Sequence, residues 1–335
     1  MTPKLPPSDR SSRPNEFPHQ PVLIEAVLEA MAPAPGKIFL DATIGYAGHA
    51  RRLAPLLGSQ GLYCGIDRDP AALEFSRMVL QATGTPFDLA HQDFDHLAEV
   101  VAGWNLPRLD GVLLDLGVSS PQLDQAERGF SFTHEGPLDM RMNPEEKWRA
   151  ADLINRIEES DLASLLKRFG EETRARSVAR AIVQARQQAP IETTQQLSDV
   201  VRKTLRTRRS KGAPRQIHPA TKTFQAIRIA VNRELEQLPR AIDQAIECLS
   251  PGGRLVVLSY HSLEDRIVKW RFRRAAGLCV CPPGIPQCSC GARKTVTILT
   301  RHPQRPSAEE TECNPRARSA RLRAVEKIDD EAKEA

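Results

Sequence analysis

The chain has 335 residues, of which 40% are hydrophobic and 27% charged, enough for about two compact bodies at roughly 150 residues each. That balance supplies a core, and it excludes both a small disulfide-stapled module and a charge-dominated disordered chain. Lys and Arg number 47 against 42 Asp and Glu, a net charge of +5, so what the excess means depends on where the cations cluster.

Residues 1–18 are polar and proline-rich without the apolar stretch of a secretory signal, and are expected to form a mobile tail. No apolar run approaches the roughly 18 residues of a bilayer span. Seven cysteines without an export signal fit reduced thiols in the cytoplasm. From Pro21 to Met31 the apolar residues are dense enough for a buried helix that begins beside a proline. Strands are expected at Ile38–Leu40, Leu62–Ile66, Phe87–Ala90 and Gly111–Leu114, with helices between them at Ala47–Leu57, Pro70–Ala82 and Leu97–Trp104. Strands alternating with helices specify an α/β fold with a parallel, doubly wound sheet.

The alternation stops after Asp115. Residues 121–147 are turn-rich, and Ala151–Leu205 has helical periodicity without a strand signal, with N-caps expected at Ser160 and at Thr193 or Thr194. The economical reading is an all-helical insertion, 121–217, between two parts of a sheet domain, 19–120 and 218–326, with 327–335 a charged tail. Pro219–Leu249 predicts one long helix or two broken at Pro239. Arg254–Ser259 restarts the strand pattern, and Lys294–Thr300 and Ser319–Val325 supply two last strands that can run antiparallel.

Open α/β sheets bind ligands beyond the carboxyl ends of their strands, which directs attention to three loops. Asp41–His49 carries Gly45 and Gly48, where a ligand can approach backbone N–H groups at a helix start. Asp67 ends the second strand and can accept both hydroxyl hydrogens of a ribose. Asp115, Ser119 and Gln122 follow the fourth strand. Neither the G-x-G-x-x-G fingerprint of dinucleotide binding nor a G-x-x-x-x-G-K-[ST] phosphate loop is present. A donor without phosphate, S-adenosylmethionine, therefore fits better than NAD.

The segments DATIGYAGHA, GIDRDPAAL, DGVLLDLGVSSPQLDQAERGFSF, GPLDMRM, HPATKTFQAIRIAVNRELE, GGRLVVLSYHSLEDRIVK and NPRARSARLR resemble those of the ribosomal RNA small subunit methyltransferase H family, from about His19 to Arg323. The resemblance implies a class I, Rossmann-like S-adenosylmethionine-dependent methyltransferase whose inserted helical domain recognises RNA. It implies methylation of N4 of a cytidine in the decoding centre of 16S ribosomal RNA, with the small ribosomal subunit as partner. It also implies donor contacts at Ala47, Gly48, His49, Asp67, Phe94, Asp115 and Gln122. The cytosine amine is a poor nucleophile that must be aligned and must lose a proton. Asp115 and the Ser119 turn are the best acceptors for that catalytic role. His261, after the strand that restarts the sheet, suits proton transfer or the positioning of RNA or a loop equally. A methyltransferase on another substrate and a non-catalytic RNA-binding assembly factor are the alternatives.

Two clusters remain. Arg202, Lys203, Arg206, Arg208, Arg209, Lys211 and Arg215 form a run of seven cations without an anion, suited to neutralising RNA phosphates. Arg271, Arg273, Arg274, Arg316, Arg318, Arg321 and Arg323 are weaker candidates for the same surface. Cys279, Cys281, Cys288 and Cys290 are close enough in sequence to surround one structural zinc or to be four reduced thiols in a loop.

Overall fold

The computed structural model describes residues 21–205, 218–282, 284 and 288–329. The tail 1–18, residues 330–335, and Arg206, Arg208, Arg209, Lys211 and Arg215 lie outside the described residues. Strands β1 (Ile38–Asp41), β2 (Leu62–Asp67), β3 (Phe87–His91), β4 (Leu109–Asp115), β5 (Leu249–Ser259), β6 (Val296–Ile298) and β7 (Arg321–Lys327) make one seven-stranded sheet in the order β3-β2-β1-β4-β5-β7-β6. The first five strands run parallel, and β7 is antiparallel to both β5 and β6. The expected antiparallel pair is therefore present, though Lys327, assigned to the charged tail, ends β7. Strand order reverses between β1 and β4, so a crevice opens at their carboxyl ends.

The helices are α1 (Ile24–Met31), α2 (Ala50–Leu57), α3 (Pro70–Gln81), α4 (Leu97–Gly103), α5 (Ser120–Asp124), α6 (Ala150–Arg156), α7 (Glu159–Gly170), α8 (Ala175–Gln188), α9 (Thr194–Leu205), α10 (Thr221–Asn232), α11 (Glu234–Cys248), α12 (Ser262–Ala275) and α13 (Ala308–Cys313). Among the described residues, no helix is long and apolar enough to cross a membrane. Alternate strand residues point to opposite sheet faces, and both faces are covered. Leu40, Val112, Leu114 and Val257 pack with Leu97, Leu238, Ile242 and Phe272 on one side. Phe39, Tyr63, Leu113 and Val256 pack with Val27, Leu53 and Leu57 on the other.

A third core lies in the insertion, where Leu162, Leu166, Val178, Ile182, Leu197 and Val201 bury one another. Phe224 and Ile227 of α10 belong to this core, whereas the sequence reading places residues 218–232 with the second part of the sheet domain. The reason is close approach of helices: a Cβ on Gly170 would stand 2.5 Å from the Lys222 carbonyl, so only glycine lets the end of α7 meet α10.

Three local expectations are revisited by the structure. Pro239 does not break the chain; it lies inside α11, and the break falls at Arg233, whose φ of 53° ends α10 in the left-handed conformation. Pro239 removes only the bond to the carbonyl of half-buried Leu235, one turn into α11, while Leu238, Ala241, Ile242 and Ala245 bury the helix face. Ser160 lies within α7, whose N-cap is Glu158. Thr193 does cap α9, its Oγ1 accepting the Gln196 N–H at 3.2 Å.

Asn232, 1% exposed, fastens the helical body to itself and to the sheet domain. Its Oδ1 accepts the Met142 N–H at 2.8 Å, its Nδ2 donates to the Met140 and Arg228 carbonyls, and its own carbonyl accepts from Arg68. Asn232→Ala leaves the Met142 donor and the Met140 acceptor buried without partners. We expect a loss of roughly 2–4 kcal/mol of stability, measured by chemical denaturation; a loss below about 0.5 kcal/mol would show that the junction does not need this amide.

Candidate active site

A cavity of about 700 Å³ occupies the crevice at the ends of β1, β2 and β4. Its walls include Asp41, Asp67 and Asp115, one carboxylate from each strand end, together with Gly45, Gly48, His49, Phe94, Ser119 and Gln122. Of the sequence-predicted donor residues only Ala47 is absent from the wall. Its φ is 57° and its methyl group is wholly buried in the α1–α2 core, so it shapes the loop from behind.

The loop after β1 is pinned to the end of β2. Asp67 accepts the Gly45 N–H at 2.7 Å and the Asp69 N–H at 2.9 Å. Gly45 has a φ of 51° that glycine adopts without strain. Burial pushes Asp67 up to about 6, against the pull of those two N–H groups. Asp41, 2% exposed, accepts the Thr43 N–H at 3.2 Å and the Tyr63 hydroxyl at 3.3 Å, and burial pushes it up to about 7.

Asp115 is held from three directions. Thr43 Oγ1 accepts its N–H at 2.6 Å, the Tyr260 hydroxyl donates to its Oδ1 at 2.7 Å, and His49 Nδ1 stands 3.4 Å from its Oδ2. The other ring nitrogen of His49 meets the Val22 carbonyl at 3.0 Å. A donor is needed there, so the contact between Nδ1 and Asp115 is attractive only when a proton lies between them. Burial raises Asp115 above the ordinary carboxylate range, with His49 and Tyr260 opposing the rise.

Ser119 and Gln122 form a capping box that starts α5: the Gln122 side chain accepts the Ser119 N–H at 3.0 Å and Ser119 Oγ accepts the Gln122 N–H at 3.4 Å. The Gln122 amide also donates to Asp69 at 3.1 Å. Gln122 thus ties the loop after β4 to the loop after β2, a role the sequence did not disclose.

His261 faces Glu264 rather than the three carboxylates. It caps α12, with Nδ1 accepting the Glu264 N–H at 3.4 Å and Nε2 lying 3.1 Å from Glu264 Oε1. Glu264 in turn accepts the Tyr260 N–H at 2.8 Å. These contacts hold the strap that carries Tyr260, a loop-positioning arrangement. Tyr260, Thr43, Arg228 of α10, and Asn314, Arg316 and Ser319 near the chain end also line the cavity. Neither Tyr260 nor Thr43 carried a site role in the sequence reading; a hydroxyl beside a strand end was the signal available for each.

The basic candidates divide. Arg202 pairs with Asp199 at 2.7 Å, an anion just before the run, while Lys203 is exposed on α9. Arg321 and Arg323 pair with Asp265 at 2.6 and 2.7 Å, and Arg271 pairs with Asp243 at 3.0 Å, so these three are structural and not a free cationic face. Arg316 pairs with Asp124 at the cavity mouth.

A parallel doubly wound sheet with an antiparallel seventh strand, three acidic strand ends around one crevice and a helical insertion after β4 define a class I methyltransferase. The chain matches the MraW methylase family over residues 16–328, and it belongs to that family. It is 50% identical over 313 residues to Ribosomal RNA small subunit methyltransferase H of Trichlorobacter lovleyi, across 93% of this chain and 99% of that one. The protein of the same name from Geobacter sulfurreducens is 49% identical over 313 residues, with the same coverage. A solved rRNA methylase from Streptococcus thermophilus, 12% identical, aligns with a TM-score of 0.40 over 91% of this chain and 94% of that one.

The raised Asp41 has a thermodynamic consequence. Its folded value, about 7, exceeds the unfolded value, 3.8, so the folded state holds the proton more tightly and stability falls as pH rises between the two. Asp41→Asn removes that dependence while keeping an acceptor for Tyr63. Between about pH 5 and pH 8 the variant should gain roughly 2–3 kcal/mol relative to the parent, read from urea denaturation at both pH values. Parallel pH profiles would show that Asp41 is not buried as an acid.

Proposed function

We propose that this methyltransferase takes its methyl group from S-adenosylmethionine and places it on N4 of a cytidine in the decoding centre of 16S ribosomal RNA, in the cytoplasm. The observation that carries this reading is the convergence of Asp41, Asp67 and Asp115 on one cavity whose far wall is α10 of the helical body. The residues fit the donor. Asp67 has lone pairs left for ribose hydroxyls after its two backbone contacts. The half-buried ring of Phe94 offers an apolar surface for a purine, and the buried Asp41 with the half-buried Asp67 and Asp115 suits a donor with cationic groups. The name these relatives share, ribosomal RNA small subunit methyltransferase H, supports the RNA substrate.

When bound, the donor supplies a sulfonium methyl group whose bonding electron pair stays on sulfur. The protein's part is alignment and proton removal. The Tyr260 and His49 contacts fix both oxygens of Asp115, which leaves the carboxylate facing the cavity in one rotamer. Asp115 accepts a hydrogen bond from the target amine, and takes its proton once the new N–C bond makes the nitrogen cationic. Burial raises the basicity of Asp115 toward that task. Ser119, at the start of α5, offers a second acceptor for the amine. The helical body, with Lys203 on α9 and the basic run that continues beyond it, holds the RNA backbone by neutralising phosphates.

Asp67→Ala should weaken donor binding roughly 10- to 100-fold, as expected for lost hydrogen bonds to a charged acceptor, measured by calorimetry. Asp115→Asn should bind donor within a few-fold of the parent yet transfer methyl at least about 100-fold more slowly. The decisive assay combines labelled donor with 30S subunits lacking the modification and maps the product nucleoside. Label on a ring carbon, on ribose or on protein would overturn the N4 reading, and undiminished turnover in Asp115→Asn would remove Asp115 from the chemistry.

A further inference from the structure

The link between α12 and β6 is a hairpin-like excursion closed at its base. Ala276 bridges to Lys294, the Thr295 N–H donates to the Ala275 carbonyl at 2.7 Å, and the Leu278 N–H donates to the Arg273 carbonyl at 2.9 Å. Among the described residues beyond that base, no hydrophobic cluster holds the excursion: Leu278 is 43% exposed, and the side chains that converge are those of Cys279, Cys281, Cys288 and Cys290. Their four Sγ atoms all lie within 4.8 Å of one another. Cys281 and Cys288 are 3.9 Å apart and Cys288 and Cys290 3.3 Å apart. All four are free thiols, since a disulfide needs sulfurs about 2.0 Å apart.

The spacing has a simple interpretation. Four thiolates about 2.3 Å from a tetrahedral zinc stand about 3.8 Å from each other, close to the separations seen. An iron–sulfur cluster, with bridging sulfides inside it, would spread the cysteine sulfurs further apart. A zinc with four thiolates carries two excess negative charges, and the Arg274 guanidinium lies against Gly291, beside Cys290, where it offsets part of them.

We propose that Cys279, Cys281, Cys288 and Cys290 bind one structural zinc ion that staples the α12–β6 excursion. The closed four-thiolate shell leaves no position for substrate, so the ion takes no part in methyl transfer. Its effect is on the surface beside it. Leu278 and Lys294, at the two ends of the stapled segment, line a cleft of about 480 Å³ with Lys269, Arg273 and Arg301. The zinc fixes the loop that borders this cleft at Leu278 and Lys294.

The test uses the full chain, purified without chelator. We expect one zinc per chain by elemental analysis, and, after exchange with Co2+, the intense visible bands and near-ultraviolet thiolate charge transfer of a tetrahedral tetrathiolate site. The double variant Cys281→Ser/Cys290→Ser should lose the metal and the Co2+ spectrum. Cys313→Ser, in α13 and outside the cluster, should keep both. Because the Co2+ spectrum is recorded on the parent chain, the result does not depend on whether the double variant folds. Metal-free protein that takes up no Co2+, bound iron in place of zinc, or zinc retained by the double variant would each overturn the assignment.

Discussion

The structure depends on three consecutive side chains at the end of β2. Asp67 turns toward the loop after β1 and fixes Gly45. Arg68, 7% exposed, reaches the other way: it pairs with Asp93 at 2.6 Å, donates to the Asn232 carbonyl at 2.9 Å and to Gln237 at 3.1 Å. Asp69, fully buried, caps α3 and accepts from Gln122 and from Arg128 at 2.7 Å. One strand end thereby fastens the cavity floor, the helical body and the loop after β4. Removing one member of a buried charge pair typically costs about 3–5 kcal/mol, because its partner is left buried and uncompensated. The arrangement is rigid for that reason, and a rigid floor lets the cavity hold three acids at fixed positions.

Gathering acids in a poorly solvated crevice is itself unfavourable, and Asp41 and Asp67 express this in their raised proton affinity. Water solvates a carboxylate better than a buried wall does, and neighbouring negative charges add repulsion. The cavity resists that cost with local donors: backbone N–H groups at Asp67, Thr43 and Tyr63 at Asp41, Tyr260 at Asp115. These contacts do not neutralise the charge. A cationic ligand does, and in a low-dielectric crevice its attraction to the carboxylates exceeds what the same pair would gain in water. On the proposed reading, donor binding relieves an unfavourable feature built into the fold.

Much of this was legible in the sequence because it is local. The strand ends carry their acids at the last position, and an alternation of short apolar runs with helical periods is the direct signature of the sheet that aligns them. What escaped was long-range. Arg68 meets Asn232, 164 positions away, and nothing near Arg68 distinguishes it from a surface arginine beside an acid. Arg321 and Arg323 looked like a possible cationic stripe, yet both converge on Asp265 of a helix dozens of residues earlier. Pro239 misled for a different reason: the local penalty of a proline in a helix is real, but burial of the α11 face outweighs one lost bond near its start.

On the proposed reading, the point at which the insertion leaves the sheet explains why one crevice serves two tasks. The chain exits β4 at Asp115, passes through α5, builds the helical body, whose last helix is α10, and returns through α11 to β5. Both connections cross the cavity mouth: Ser119 and Gln122 line it on the way out, and Thr221, Gln225 and Arg228 on the way back. The strap after β5 then brings Tyr260 onto Asp115. On the proposed reading, a polymer gripped by the helical body is held over Asp115. Had the insertion entered at the amino ends of the strands, the same helices would lie at the opposite end of the sheet from the three acids, so on the proposed reading its location ties recognition to chemistry.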